Sequence, residues 1–334
     1  MNRTDRLTTD DESISCGVDL GGTKVVVALV KATGEIVARE IIRDHRGLSE
    51  DEIVTRIAAS AHRLLPRASD LQRLAGIGVG TTGHVNFHRG VLISSSNLPG
   101  FSNFPLAERI SKALGTKVIL DNDANAQAYA EYRFGAGRGF DNVVFVTVST
   151  GLGAGIVLGG RLYRGVTGTA GEIGHTIVNP DGRIQCGCGN YGCLMAHTSG
   201  LTLPEIVADK LQNTDLRTGI DFRRLERAEI NGELIKTGLD QGDALCTDIV
   251  LEYGHYLGVG LHNLVQTMNP GVIVLGGGLT SWGSVYLARV RETFYRLVAK
   301  TIDEPPEIKL SELGSDAAVI GAAALAFTVE EETA

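Results

Sequence analysis

Cys186, Cys188 and Cys193 lie within eight positions of one another, and His175 precedes them in the run Glu172-Ile173-Gly174-His175. Three thiolates and one imidazole make a closed tetrahedral set of the kind that holds structural zinc. Four protein ligands leave no position for an activated water, so the metal is expected to shape a loop and do no chemistry itself. His175 is expected to give one ring nitrogen to Zn2+ and turn the other toward a ligand beside Glu172. A second group, Asp121-Asn122-Asp123, sits between a strand pattern at 117–120 and a helix pattern at Ala124–Phe134. Strand ends are where α/β proteins present reactive groups, so Asp123 suits a general base for a hydroxyl nucleophile, with Asn122 orienting a diol. Helix capping is the competing reading, because Asp and Asn are preferred N-caps.

Glycine fills 43 of 334 positions, close to twice the usual share of about 7%. Much of the excess falls in four runs read as glycine turns. Asp19-Leu20-Gly21-Gly22-Thr23-Lys24 places a carboxylate, a hydroxyl and an ammonium on one hairpin. Such a turn suits a metal-bound triphosphate: Asp19 toward hydrated Mg2+, Thr23 and the Gly21 and Gly22 amides toward phosphate oxygens, Lys24 as counter-charge. Thr150-Gly151, within Ser149 to Gly153, offers a hydroxyl on open backbone, and Gly276-Gly277-Gly278 could admit a base or ribose. Close packing of a strand on a helix is the commoner explanation of either of the last two taken alone. The fourth run, Gly78 to Gly83, spells the dinucleotide fingerprint, but no Asp or Glu lies between Asp70 and Glu108 and no helical period follows at 84–96. A Rossmann cofactor fold is therefore not expected, and the P-loop ending in Gly-Lys-Ser/Thr is absent.

The elements that must carry these groups alternate. Strands are expected at 14–19, 25–30 and 35–42, a helix over 49–65 opened by a Ser49/Glu52 capping box, and a strand at 74–79. A helix at 105–114, the strand and helix flanking Asp121 to Asp123, and a strand at 143–148 follow, with a glycine turn at 151–155 and a strand at 154–158. Residues 204–268 read as largely helical, 271–275 and 307–310 as strands, and 315–327 as an Ala-rich helix. The strand, Gly-turn, strand unit at Asp19 recurs at Ser149, which suggests two lobes on one plan. The net charge of −8 offers no basic face for nucleic acid. The polar segment 1–13 reads as a disordered tail, and no apolar run approaches a membrane span, so a cytoplasmic protein with no membrane partner is expected. Cys16 and Cys246 read as core residues.

Taken together, the DLGGTK turn, Leu120 to Asn125, Ser149 to Gly155, Glu172 to His175, the CxCGxxGC cluster and Met268-Asn269-Pro270 leading into VIVLGGGL resemble the ROK family of bacterial sugar kinases and repressors, within the actin-like ATPase superfamily. The resemblance runs from about Ser15 to Ala326. It implies an α/β fold of two ribonuclease-H-like lobes around a central cleft, with a zinc-bound loop: 14–122 as the N-terminal lobe, completed by a helix over 315–330, and 123–314 as the C-terminal lobe. It further implies that ATP with Mg2+ lies between the lobes, and that Asp123 takes a proton from a sugar hydroxyl. Gly83, Asn97, Asn122, Glu172 and His175 would hold the sugar, and lobe closure would exclude water. Family repressors carry an N-terminal winged helix-turn-helix, for which the phosphate turn at Asp19 leaves no room, so DNA binding is not expected. Homo-oligomers, dimer or tetramer, are implied by the family alone. The pattern departs at Met195, where many family kinases carry a sugar-binding glutamate; a thioether holds a hydroxyl poorly. Thr82 stands where many members have proline. A hexose 6-kinase of glucokinase type is the leading expectation; an N-acetylmannosamine, other N-acetylhexosamine or cyclitol kinase and a non-catalytic sugar sensor are the alternatives.

Overall fold

A computed structural model describes residues 13–43, 45, 47–65 and 74–332, so all but the last residue of the expected tail lies outside the described residues. The first strands, β1 (Ile14–Leu20), β2 (Val25–Lys31) and β3 (Ile36–Ile42), form an antiparallel meander. Helix α1 (Glu50–Leu64) opens on the Ser49/Glu52 capping box, with both reciprocal hydrogen bonds formed. Strand β4 (Leu74–Thr81) then pairs parallel with β1. A small antiparallel sheet follows, β5 (His84–Asn86), β6 (Val91–Ser94) and β7 (Ser102–Phe104), before α2 (Leu106–Leu114), β8 (Val118–Asn122) and α3 (Asp123–Phe134). The main sheet has the order β3-β2-β1-β4-β8.

The chain continues through β9 (Val143–Val148), β10 (Leu152–Leu158) and β11 (Arg161–Leu162), then α4 (Leu194–Thr198), α5 (Leu203–Asn213), α6 (Gly232–Asp240) and α7 (Ala244–Met268). Strand β12 (Val272–Gly276), α8 (Ser284–Val298), β13 (Glu307–Leu310) and α9 (Ala317–Glu332) complete it. The second sheet runs β11-β10-β9-β12-β13. Two compact units result: one of Met1–Phe145, Gly155–Gly171 and Ser311–Ala334, the other of Val146–Ala154 and Glu172–Leu310.

In the first unit, Cys16, Val18 and Leu20 of β1 and Val27 and Leu29 of β2 bury one face of the main sheet with Ile53, Ile57 and Leu64 of α1 and Ile110 of α2. On the other face Val26, Ala28 and Val30 meet Ala130 of α3 and Val319, Ile320 and Ala323 of α9. Glu131, wholly buried at the end of α3, accepts from Ala136 N, Ser311 Oγ and Leu313 N, which locks the returning chain onto that helix. In the second unit, α7 packs on α8, α6 and α4, and in its interior Trp282 meets Tyr286 edge to face and Tyr253 at a tilt.

Three expectations are corrected. Gly78 and Gly80 are not in a turn; they lie inside β4, and a β-carbon on Gly78 would meet Ala322 O of α9 at 1.7 Å. These glycines thin the strand so that a helix backbone can approach. The turn placed at 151–155 is instead Ser149 to Gly151, with Ser149 N donating to Gly151 O at 2.8 Å, and β10 already begins at Leu152. The helical stretch 204–268 is interrupted between α5 and α6 by an irregular segment holding two short 3-10 turns. Helix α8 and the β5-β6-β7 sheet had no counterpart in the sequence reading. Among the described residues no helix is long and apolar enough to cross a membrane.

Candidate functional site

In the first unit the candidate groups gather at the C-terminal ends of β1, β4 and β8, since the parallel register puts Asp19 beside Gly80 and Gly80 beside Asp121. The Asp19 carboxyl is pushed up to about 6, chiefly by burial and against the opposing pull of the Lys24 ammonium. The turn after it closes with Gly21 N donating to Lys24 O at 3.1 Å, and Thr23 at its tip is exposed. Gly22 is needed here: a β-carbon would stand 2.7 Å from Asn97 O. Asn97 Nδ2 donates to Thr82 Oγ1 at 3.1 Å, and Asn122 Nδ2 donates to Gly83 O at 3.1 Å. Gly83, at φ +108°, lies against Ser94 O and Ser95. Asn122 caps α3 through its Oδ1, which accepts from Ala124 N at 2.8 Å, and Asp123 is the first residue of that helix. Asp123 Oδ1 accepts from the same Ala124 N at 2.9 Å, so both side chains take part in opening the helix, with Asp123 at the positive end of its dipole.

Gly21, Gly22, Gly83, Asn97, Asn122 and Asp123 therefore form one connected patch. Its support was not visible as such in sequence. Asp121, with its side chain only 2% exposed, takes a 2.7 Å bond from Arg164 Nε. Arg164 belongs to the segment after β11, and nothing in its spacing marked it.

In the second unit the hydroxyl turn and the triple glycine are neighbours. Gly277, at φ +91°, lies where a β-carbon would stand 2.4 Å from Val148 O, and the same position on Gly278 is 3.7 Å from Ser149 Oγ. The turn is pinned from behind by Gly200 N donating to Ser149 O at 2.8 Å and Leu201 N donating to Thr150 O at 3.0 Å. Thr150, Gly151, Gly276, Gly277 and Gly278 are thus brought together, with the Thr150 side exposed.

Glu172 and His175 flank a 3-10 turn in the same unit. His175 Nδ1 is 3.6 Å from Cys186 Sγ, and Cys188 Sγ is 3.7 Å from Cys193 Sγ; the four donor atoms all lie within 4.8 Å of one another. Tetrahedral zinc with Zn–S of about 2.3 Å and Zn–N of about 2.0 Å requires S–S edges of about 3.8 Å and S–N edges of about 3.6 Å. The His175–Cys186 and Cys188–Cys193 edges stand at those separations, and every other edge lies within 4.8 Å. Burial pushes the Cys193 thiol up to about 12 and the Cys186 thiol upward as well, while the Asn190 backbone hydrogen bond pulls the Cys188 thiol down, so the two raised thiols need a compensating cation to ionise. The set therefore fits zinc, with His175, Cys186, Cys188 and Cys193 as its holders. His175 Nε2 faces away from the sulfurs, 3.8 Å from Glu172 Oε2, as the two-sided role of this ring requires. Met195, in α4 directly after the last cysteine, packs by its Cβ toward Gly174 and by its Sδ toward Gly151.

The ROK family pattern matches residues 15–329 of the chain. A glucokinase of Halalkalibacterium halodurans is 33% identical over 307 residues, covering 91% of this chain and 92% of that protein. An N-acetylmannosamine kinase of Haemophilus influenzae is 33% identical over 313 residues, covering 92% and 93%. The crystal structure of a ROK family glucokinase from Streptomyces griseus, in complex with glucose and AMPPNP, is 32% identical, covers 94% of this chain and 99% of that one, and superposes with a TM-score of 0.76. The mixed α/β architecture, the Cys3His cluster and similarity along nearly the whole chain agree: the protein belongs to the ROK family.

Proposed function

We propose that the chain is an ATP-dependent sugar kinase of glucokinase type, transferring the γ-phosphoryl group to the 6-hydroxyl of a hexose. The observation that carries the reading is Asp123 at the head of α3, beside Asn122, Gly83 and Asn97, in a chain similar over nine-tenths of its length to a glucokinase. Phosphoryl transfer needs little covalent help from a protein; it needs aligned reactants, charge compensation and one base. Asp123 accepts the proton of the attacking hydroxyl. Asn97, Asn122, Gly83, Glu172 and His175 hold the sugar ring. The Gly21, Gly22 and Thr23 turn with Lys24, and the Thr150-Gly151 and Gly276-Gly277-Gly278 turns, hold the nucleotide. Asp19 faces hydrated Mg2+, which when bound neutralises phosphate charge. Zinc holds the loop that carries His175. The reading includes a cytoplasmic homo-oligomer, dimer or tetramer.

Met195 favours keeping a second reading. Its thioether offers the sugar no acceptor comparable to a carboxylate, which suits a ring whose hydroxyl is substituted, as in an N-acylated hexosamine. Coupled ADP release with MgATP separates the two. Turnover of glucose, lost in Asp123→Asn by about 100-fold or more while fold and zinc content persist, is the expected result. Turnover of N-acetylmannosamine but not glucose installs the second reading, and binding of sugars with no turnover of any would leave a sensor.

A further inference from the structure

We infer that Arg164 and Asp121 form a positioning device for the transfer centre, holding from one anchor both the Asn122-Asp123 start of α3 and the segment that leads into Glu172. The inference rests on the reading of Asp123 as the base. Both oxygens of the Asp121 carboxylate are committed to protein donors. Oδ1 accepts from Asn122 N at 2.8 Å and from Asn125 Nδ2 at 2.9 Å, and Oδ2 accepts from Arg164 Nε at 2.7 Å. Asp121 therefore grips the residue before Asp123 and the residue two after it, so the base is bracketed by a group that does not itself face a reactant. With its carboxylate 2% exposed, Asp121 depends on Arg164 for the opposite charge that burial demands.

Arg164 is held equally firmly. Its guanidinium carbon lies 4.0 Å from the centroid of the Phe87 ring, a stacked arrangement available to a planar guanidinium and not to an ammonium. The segment it begins folds back on itself. Ala170 N donates to Arg164 O at 3.1 Å, and Thr167 and Thr169 share a hydroxyl bond at 2.8 Å. Gly168, at φ +85°, passes so close to β5 that a β-carbon would stand 2.6 Å from Val85 O. The compact stretch 164–171 ends where the second unit begins at Glu172. One ion pair thus fixes the take-off of the base helix and the start of the folded stretch 164–171. Rate is sensitive to such placement, with roughly 100-fold lost for a displacement of about 1 Å.

The test compares Arg164→Ala, Arg164→Lys and Asp123→Asn in the full chain, recording kcat, KM for sugar and ATP, melting temperature and zinc content, with and without added guanidinium or methylguanidine. Arg164→Ala is expected to lose about 100-fold in kcat, with the KM for ATP within about threefold of the parent and zinc retained. Guanidinium is expected to restore at least about tenfold of that loss, without stimulating the parent. Arg164→Lys, which keeps the charge but not the Nε bond or the stack on Phe87, is expected to stay at least about tenfold down in kcat. If Arg164→Ala does not fold, Arg164→Lys alone decides. A folded Arg164 variant with kcat within about threefold of the parent, or a deficit wholly explained by a smaller folded fraction and unmoved by guanidinium, overturns the inference. Should Asp123→Asn keep its turnover, the base reading fails on its own account; an inert Asp123→Asn beside a near-normal Arg164 variant removes only the positioning role.

Discussion

Asp19 shows what its surroundings do to a single carboxyl. Burial at the end of β1 raises its carboxyl from 3.8 in the unfolded chain to about 6 in the folded protein, despite Lys24 nearby. A carboxyl with a raised folded pKa favours folding in its protonated form. Its contribution is complete below about pH 4 and is lost as pH rises through about 6. Above that range the ionised Asp19 strains the fold by roughly 3 kcal/mol, at about 1.36 kcal/mol per unit. Asp19→Asn removes the titration. Thermal melts should show its stability over the parent growing between about pH 4 and pH 6 and then levelling, while sugar phosphorylation falls. A variant no more stable than the parent at pH 8 would mean that the carboxylate is satisfied in the folded state.

Among elements, the packing of α9 on the main sheet is the most exacting feature. Gly17 of β1 and Gly78 of β4 leave room for its backbone: added β-carbons would come within 2.2 Å of Val319 O and 1.7 Å of Ala322 O. Gly321 answers from the helix side, 1.8 Å from Ala126 O of α3 by the same measure. Helix α9 thus touches both the sheet and α3, and α3 begins with Asp123. Gly78→Ala must push α9 outward and is expected to destabilise by about 3 kcal/mol, with kcat lowered in the molecules that remain folded. Ser49→Ala, which removes one cap of α1 on the same unit, serves as the calibrator at about 1 kcal/mol. Denaturant unfolding of both variants measures the difference, and equal losses would show that α9 yields easily. The same glycines qualify the link between glycine content and ligand binding. Those at 22, 83, 277 and 278 belong to candidate site turns, whereas those at 17, 78, 155 and 321 serve helix packing.

For the whole molecule, the metal cluster and the first unit's core are independent by construction. All four metal donors lie in Glu172–Leu310, and the large cluster built on β1, β2, α1 and β4 lies in the other unit. Stripping zinc should therefore loosen one unit more than the other. Hydrogen exchange of chelator-treated protein is expected to show protection lost over 172–200 and neighbouring α7, and kept over 14–31 and 74–81. Uniform loss across both units, or none, would contradict that division. Sugar affinity should fall with the metal, because His175 carries one nitrogen toward the sulfurs and the other toward Glu172.

How much of this was legible in the residues follows the range of the interactions involved. The capping box of α1, the strand into DLGGTK, the helix after Asn122 and the three clustered cysteines all depend on neighbours within a few positions, and their spacing announced them; His175, 11 residues before Cys186, is the most distant of the metal quartet. Met195 was equally plain, two residues past the cysteine motif in a run that fixes its register. What composition and spacing left open was decided by contacts distant along the chain. Gly78 is a turn residue or a packing residue depending on whether a helix more than two hundred positions later lies on it. Asp121 looks like any capping acid until Arg164, 43 residues away, is placed against it. Asp123 and Asn122 are adjacent in sequence and similar in chemistry, and only the folded geometry shows both accepting from Ala124 N while Asn122 also reaches Gly83 O. Local propensity settles short-range hydrogen bonds; the pairing of a buried charge and the clearance beside a glycine exist only once the sheet has brought the distant partner into place.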